Sequence, residues 1–146
     1  MPSILLIILL APACRAPEPQ QQSGIESVWS GLRGASQGDK LLESLYPALS
    51  TPSREMFTWS EVFLLLANPE LFPEIPDIPR VFGDGEYIGV APGPRTREEF
   101  GVVRLPEGKR RLRFLFVLEG DTVRLGLGEQ LLRIKDGEQA YSWEIP

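Results

Sequence analysis

The chain has 146 residues, a formal net charge of −5, no histidine and a single cysteine. That length suits one domain with a short tail. The missing histidine removes the commonest general base and metal ligand. One cysteine permits neither an intrachain disulfide nor a thiolate zinc site, and a mildly acidic chain without a polybasic domain does not suit nucleic acid. No cofactor and no metal are expected.

Ile4-Leu5-Leu6-Ile7-Ile8-Leu9-Leu10 is an unbroken apolar run. It has the length of a signal-peptide core and is far short of the ~20 residues that span a bilayer as a helix. Ala11-Pro12-Ala13-Cys14 follows directly. Small residues before a cleavage point let the chain lie extended in a narrow peptidase cleft. This ending resembles the lipobox of bacterial lipoproteins. The resemblance implies that Cys14 takes a diacylglycerol, that the signal is cut before it, and that the new amine is acylated. It also implies a protein of the bacterial cell envelope, held to a membrane at Cys14 and facing the periplasm or exterior. Arg15 after the cysteine leans toward the outer membrane of a Gram-negative cell. Residues 1–13 are thus expected to be a signal peptide. Residues 14–24, rich in Pro and Gln and free of apolar anchors until their end, are expected to be a flexible tether. The domain is then 25–146.

Ser23-Gly24-Ile25-Glu26 reads as a capping box, followed by Ile25, Val28, Trp29 and Leu32 on one helical face. Asp39 is placed to cap a second short helix with Leu42, Leu45 and Tyr46 inward and Pro47 as its stop. Thr58-Trp59-Ser60-Glu61 is another capping box, and Trp59, Val62, Phe63 and Leu66 repeat the helical spacing. Leu64 and Leu65 make that helix apolar nearly all round, which predicts the most buried helix of the fold. Prolines at 69, 73, 76 and 79 predict an extended crossover, tacked down by Leu71, Phe72, Ile75 and Ile78.

From Val81 the apolar period becomes two. Tyr87–Ala91, Phe100–Leu105, Leu112–Leu118, Thr122–Leu127, Leu131–Lys135 and Ala140–Ile145 read as strands. Leu112, Phe114, Phe116 and Leu118 share one face, and Tyr141, Trp143 and Ile145 share another. Asp136-Gly137 is a two-residue hairpin signal, with Lys135 and Glu138 as its flanking charge pair. The expected fold is α+β: two or three short N-terminal helices packed on a C-terminal antiparallel meander of about five or six strands. Val28-Trp29-Ser30-Gly31-Leu32-Arg33, Gly38-Asp39, Leu41-Leu42, Leu45-Tyr46 and the later Phe116-Val117-Leu118-Glu119-Gly120-Asp121-Thr122-Val123 resemble the opening helices and late hairpin of the nuclear-transport-factor-like cone fold. That resemblance implies a cone-shaped pocket. The family's Asp-His chemistry does not carry over to a chain without histidine.

Little in the chain points to catalysis. Gly83-Asp84-Gly85-Glu86 reads as a tight turn rather than a calcium or phosphate loop. Glu98 and Glu99 are neighbours on a strand and point to opposite faces. No serine sits in a nucleophile elbow, leaving only a formal Ser-Lys dyad with Lys40, Lys109 or Lys135. Trp29, Trp59 and Trp143 sit on core-type periodicities and are expected to pack structurally. The one notable charge cluster is Arg104, Lys109, Arg110, Arg111 and Arg113. It reads either as a solvated sheet face paired with Glu119, Glu129 or Glu144, or as a patch for an acidic protein partner or anionic lipid. The sequence therefore points to a small binding or interaction protein anchored at a membrane through Cys14. The rivals are a structural envelope lipoprotein and an enzyme with a carboxylate-lined pocket, for which burial of Asp84, Glu86 or Glu144 is the deciding feature.

Overall fold

The computed structural model describes residues 19–36, 40–107 and 110–145, with the backbone alone for 19–23. Cys14, Gly38, Asp39 and Lys109 lie outside the described residues. The fold is α+β. Five α-helices precede one antiparallel sheet and a sixth follows it, among the described residues.

Helix α1 runs from Pro19 to Ala35. It begins ahead of the Ser23 cap expected from sequence and takes in six of the residues assigned to the tether. Pro is favoured in a first helical turn and Gln is a good helix former. Its inner face is Ile25, Trp29 and Leu32, all buried. Helix α2, Leu41–Ala48, carries Pro47 inside its last turn rather than ending before it. Helix α3, Thr51–Met56, starts at an N-cap Ser50 whose side chain accepts from the Ser53 amide. Helix α4, Trp59–Ala67, has the Thr58–Glu61 capping box complete in both directions.

The proline-rich stretch is not wholly extended. Pro69–Leu71 is a 3-10 turn, and Ile78–Asp84 forms helix α5 with Asp77 accepting from the Arg80 amide as its cap. Pro79 falls in the first turn, where its missing N–H costs nothing. Ile78, Val81 and Phe82 are fully enclosed. Leu71, expected to tack the segment down, is instead exposed. Gly83-Asp84-Gly85-Glu86 is the end of this helix and the start of a strand rather than a hairpin turn.

Strands β1 (Glu86–Pro92), β2 (Glu98–Arg104), β3 (Arg111–Glu119) and β4 (Thr122–Leu125) pair in chain order. A bulge interrupts β1 between Tyr87 and Gly89, and Gly89 takes φ 138°, a conformation open to glycine. The inner sheet face carries Val103, Leu112, Phe114 and Phe116 against the helices. Trp29 stands 4.6 Å from Phe82, which in turn faces Phe114, at the centre of this core.

The sheet has four strands, not five or six. Leu131–Lys135, expected to be a strand, lies in helix α6, Leu127–Lys135. Leu127, Gln130, Leu131 and Ile134 form a helical face, and a short apolar window hides that period. Asp136-Gly137 ends this helix instead of turning a hairpin. Gly137 has φ 84°, and the Glu138 amide reaches back to the Arg133 carbonyl at 2.9 Å. Glu138 pairs with Arg95 and Arg133. Ala140–Ile145 opens in a 3-10 turn, Gln139–Tyr141. It then touches β3 through a single bridge between Leu112 and Glu144. Tyr141 joins Phe100 and Leu115 in a second small core on the outer sheet face, whereas Trp143 packs against Phe114 in the main core.

Candidate functional site

The arginine cluster is largely spoken for. Arg104 pairs with Glu86 at 2.9 Å and Arg110 with Glu144 at 3.1 Å. Arg113 folds over the outer sheet face, its guanidinium 4.9 Å from the Phe100 ring centroid. It donates to the Ser142 carbonyl at 2.8 Å and the Ser142 hydroxyl at 3.0 Å. Burial lowers its pKa from the ordinary guanidinium value. Of the cluster's described members, only Arg111 is exposed without an ion pair. It sits directly across from Arg104, an unfavourable like-charge pairing that Glu86 relieves on one side. Of the expected acidic partners, Glu144 alone serves this cluster. Glu119 holds the Thr51 amide.

Two polar clusters are built into the interior. Ser50 and Ser53 are completely buried, and both hydroxyls donate to Glu129 Oε1, at 2.6 and 2.8 Å. Ser53 Oγ in turn accepts from the Gly128 amide at 2.8 Å. A Cβ at Gly128 would stand 2.7 Å from Met56 Sδ, so this seam between α3 and α6 is closed packing with no space for a substrate. Gln130, also fully buried, accepts from the Leu115 amide at 2.8 Å. It donates to the Arg113 and Tyr141 carbonyls at 3.0 and 2.9 Å. It completes the hydrogen bonding of β3 where β4 has ended. On the same face the Tyr141 hydroxyl donates to Glu98 at 2.6 Å, and burial together with that carboxylate pushes its pKa up to about 12. Asp84, Glu86 and Glu144 are all exposed, so the carboxylate-pocket reading loses the three residues it named.

The surface feature left over is apolar. Helix α4 packs on α2, α5 and the 3-10 turn after it, burying only Val62 and Leu65. Trp59, Phe63 and Leu64 remain 46, 54 and 41% exposed. The expectation that this is the most buried helix is therefore wrong. The helix sits at the margin of the fold, with these three large apolar side chains left partly uncovered by the rest of the described chain. Trp59 meets the edge of Tyr46 at 5.1 Å, so it is the one tryptophan not in the core. Phe63 also lines a groove of about 410 Å³, together with Ser36 after α1, Leu41 and Leu42 of α2, Leu66 and Ala67 of α4, and Pro79 of α5. Exposed apolar patches of this kind mark interaction sites on soluble folds. Sequence reasoning had the residues but assigned them to the core.

Among the described residues, no helix is long and apolar enough to cross a membrane. Comparisons with protein-family models, curated proteins and solved structures found no match for this chain.

Proposed function

We propose that this chain is an exported, lipid-anchored binding protein of the bacterial cell envelope, fixed to a membrane through Cys14 and presenting its helical face to a partner. The observation that carries the binding part is the exposed Trp59–Phe63–Leu64 face bordering the α2–α4–α5 groove. The anchoring part rests on the position of the chain's one cysteine, at the end of the Ile4–Leu10 run. Several acyl chains at about 0.8 kcal/mol per buried CH₂ hold a protein durably at a bilayer. The arginine cluster supports a partner role less well, because Arg104, Arg110 and Arg113 already have protein partners. The test is intact mass and detergent partitioning of the protein from its native host, beside Cys14→Ser. Wild type should lose residues 1–13, gain acyl mass and enter detergent, while the variant stays soluble. Two soluble, uncut proteins would refute anchoring.

A further inference from the structure

We propose that the outward face of α4 pairs with the same face of a second copy of this chain, related by a two-fold axis. The proposal rests on the binding reading and names its partner, and it requires nothing of Cys14.

Helix α4 carries two faces. Val62 and Leu65 are buried against the fold. Ser60, Phe63, Leu64 and Ala67 are all exposed, and they stand at i, i+3, i+4 and i+7, the spacing of a face that packs on another element. That outward face bears no charge. Glu61, the one charged residue of α4, lies on the opposite side of the helix from Phe63 and closes the Thr58 cap. Charges of both signs adjoin the lining of the groove in the chain: Lys40 and Glu43 flank Leu41 and Leu42, and Asp77 and Arg80 flank Pro79. A mixed margin selects neither a basic partner nor an anionic bilayer, each of which calls for a single sign. A neutral face meets its own copy with no like charges opposed at the centre.

Shape and area also suit a copy. Phe63 both stands out on this face and lines the groove. The surface thus holds a projection and a hollow side by side, and an isologous pairing sets each against its counterpart on the other copy. Trp59, Phe63 and Leu64 are joined by Leu71, 62% exposed in the 3-10 turn that packs on α4. At roughly 200 Å² for a large side chain, the exposed parts of these four come to about 400 Å² per copy. Two copies bring ~800 Å² of apolar side chain, and the surface around it takes the contact to about the 1,000 Å² at which a specific interface begins.

The test uses the full chain carrying Cys14→Ser, which has no other cysteine. Sedimentation equilibrium should show the 16.3 kDa chain exchanging with its dimer, with a dissociation constant on the order of 10 μM. Phe63→Glu should weaken pairing at least ~10-fold, as for loss of an interface anchor. Ser60→Glu removes no apolar contact and should weaken it several-fold by opposing like charges. Circular dichroism and the urea midpoint confirm that each variant is folded; where Phe63→Glu is not, Ser60→Glu decides. Single cysteines at Ser60, Leu64 or Ala67 locate the contact. A bis-maleimide should join at least one of them many times faster than a cysteine at Asp121, in the turn between β3 and β4, and Phe63→Glu should remove the difference. A monomer at concentrations up to ~300 μM overturns the proposal. So does a dimer that either folded variant leaves intact, which is then held elsewhere, as through the Ile4–Leu10 run. Crosslinking no faster than at Asp121 overturns it as well, as does a monomer whose adsorption to phosphatidylglycerol vesicles is abolished by Phe63→Glu. A monomeric chain removes the pairing alone: detergent partitioning of wild type beside Cys14→Ser still decides the anchor, so the two proposals fall separately.

Discussion

Gln130→Leu tests how the sheet is closed on its β4 side. The side chain is fully buried and serves three backbone groups: the Leu115 amide, the Arg113 carbonyl and the Tyr141 carbonyl. Leucine has nearly the same volume and leaves all three without that partner. An unsatisfied buried donor costs about 1–3 kcal/mol, and the carbonyls, with two lone pairs each, cost less. The extra apolar burial of leucine returns about 1 kcal/mol. The net loss is about 2–4 kcal/mol, which for a domain of this size lowers Tm by roughly 10 °C. Urea unfolding followed by tryptophan fluorescence reads the loss as a lower midpoint at unchanged m-value. Hydrogen exchange locates it, because the Leu115 amide should lose protection more than amides in the β1–β2 pair. A variant within 0.5 kcal/mol of wild type, with Leu115 still protected, would show that water or a backbone shift replaces Gln130 and that the closure has been misread.

Gly128→Ala should destabilise by about 1–3 kcal/mol, since its Cβ would sit 2.7 Å from Met56 Sδ and 3.0 Å from the Ser53 Cα; an unchanged urea midpoint would contradict the tight α3–α6 seam. Arg113→Ala should cost about 1–2 kcal/mol through its lost hydrogen bonds and its contact with Phe100. Arg111→Ala, one of two alternating arginines on the same strand face, should stay within about 0.5 kcal/mol in the same titration. Tyr141 keeps its proton to about pH 12 in the folded state and loses it near pH 10 when unfolded. The folded protein therefore binds the extra proton between those values, so this contribution is intact below pH 10 and is lost as pH rises toward 12. Tyr141→Phe should flatten the fall in stability across that window, and a slope equal to that of wild type would rule the linkage out.

Where partners are close in sequence, the fold could be read in advance. Thr58 and Glu61 complete their box because both donors and acceptors lie within one helical turn. The first four strands alternate cleanly and carry their own turns, and each formed within a residue or two of its expected limits. Helix α6 was hidden because one residue of its buried face is polar. Gln130 sits there to satisfy backbone atoms of β3 and of the 3-10 turn after α6, and nothing local announces those partners. The link from Ser50 and Ser53 to Glu129 spans more than seventy residues and leaves no periodic trace. Arg111 and Arg113 have the same pattern in sequence. What separates them is the cover that 139–142 places over the second. The groove was missed for a related reason. Apolar spacing says that Trp59, Phe63 and Leu64 avoid water, but not whether this chain or another covers them.

The two ends of α1 lie apart, one beside the β3–β4 hairpin and the other beside the groove. Five residue steps separate Cys14 from Pro19, a reach of at most ~18 Å. The first turns of α1 lie beside the β3–β4 hairpin, where a Cβ on Gly24 would stand 2.6 Å from Val123 Cγ2. Seventeen residues on, a rise of about 25 Å, the helix ends beside the groove, where Ser36 joins its lining. Helix α1 thus runs from the β3–β4 side of the fold to the groove, so an attachment through the residues before Pro19, as proposed for Cys14, joins the domain at the end of α1 away from the groove.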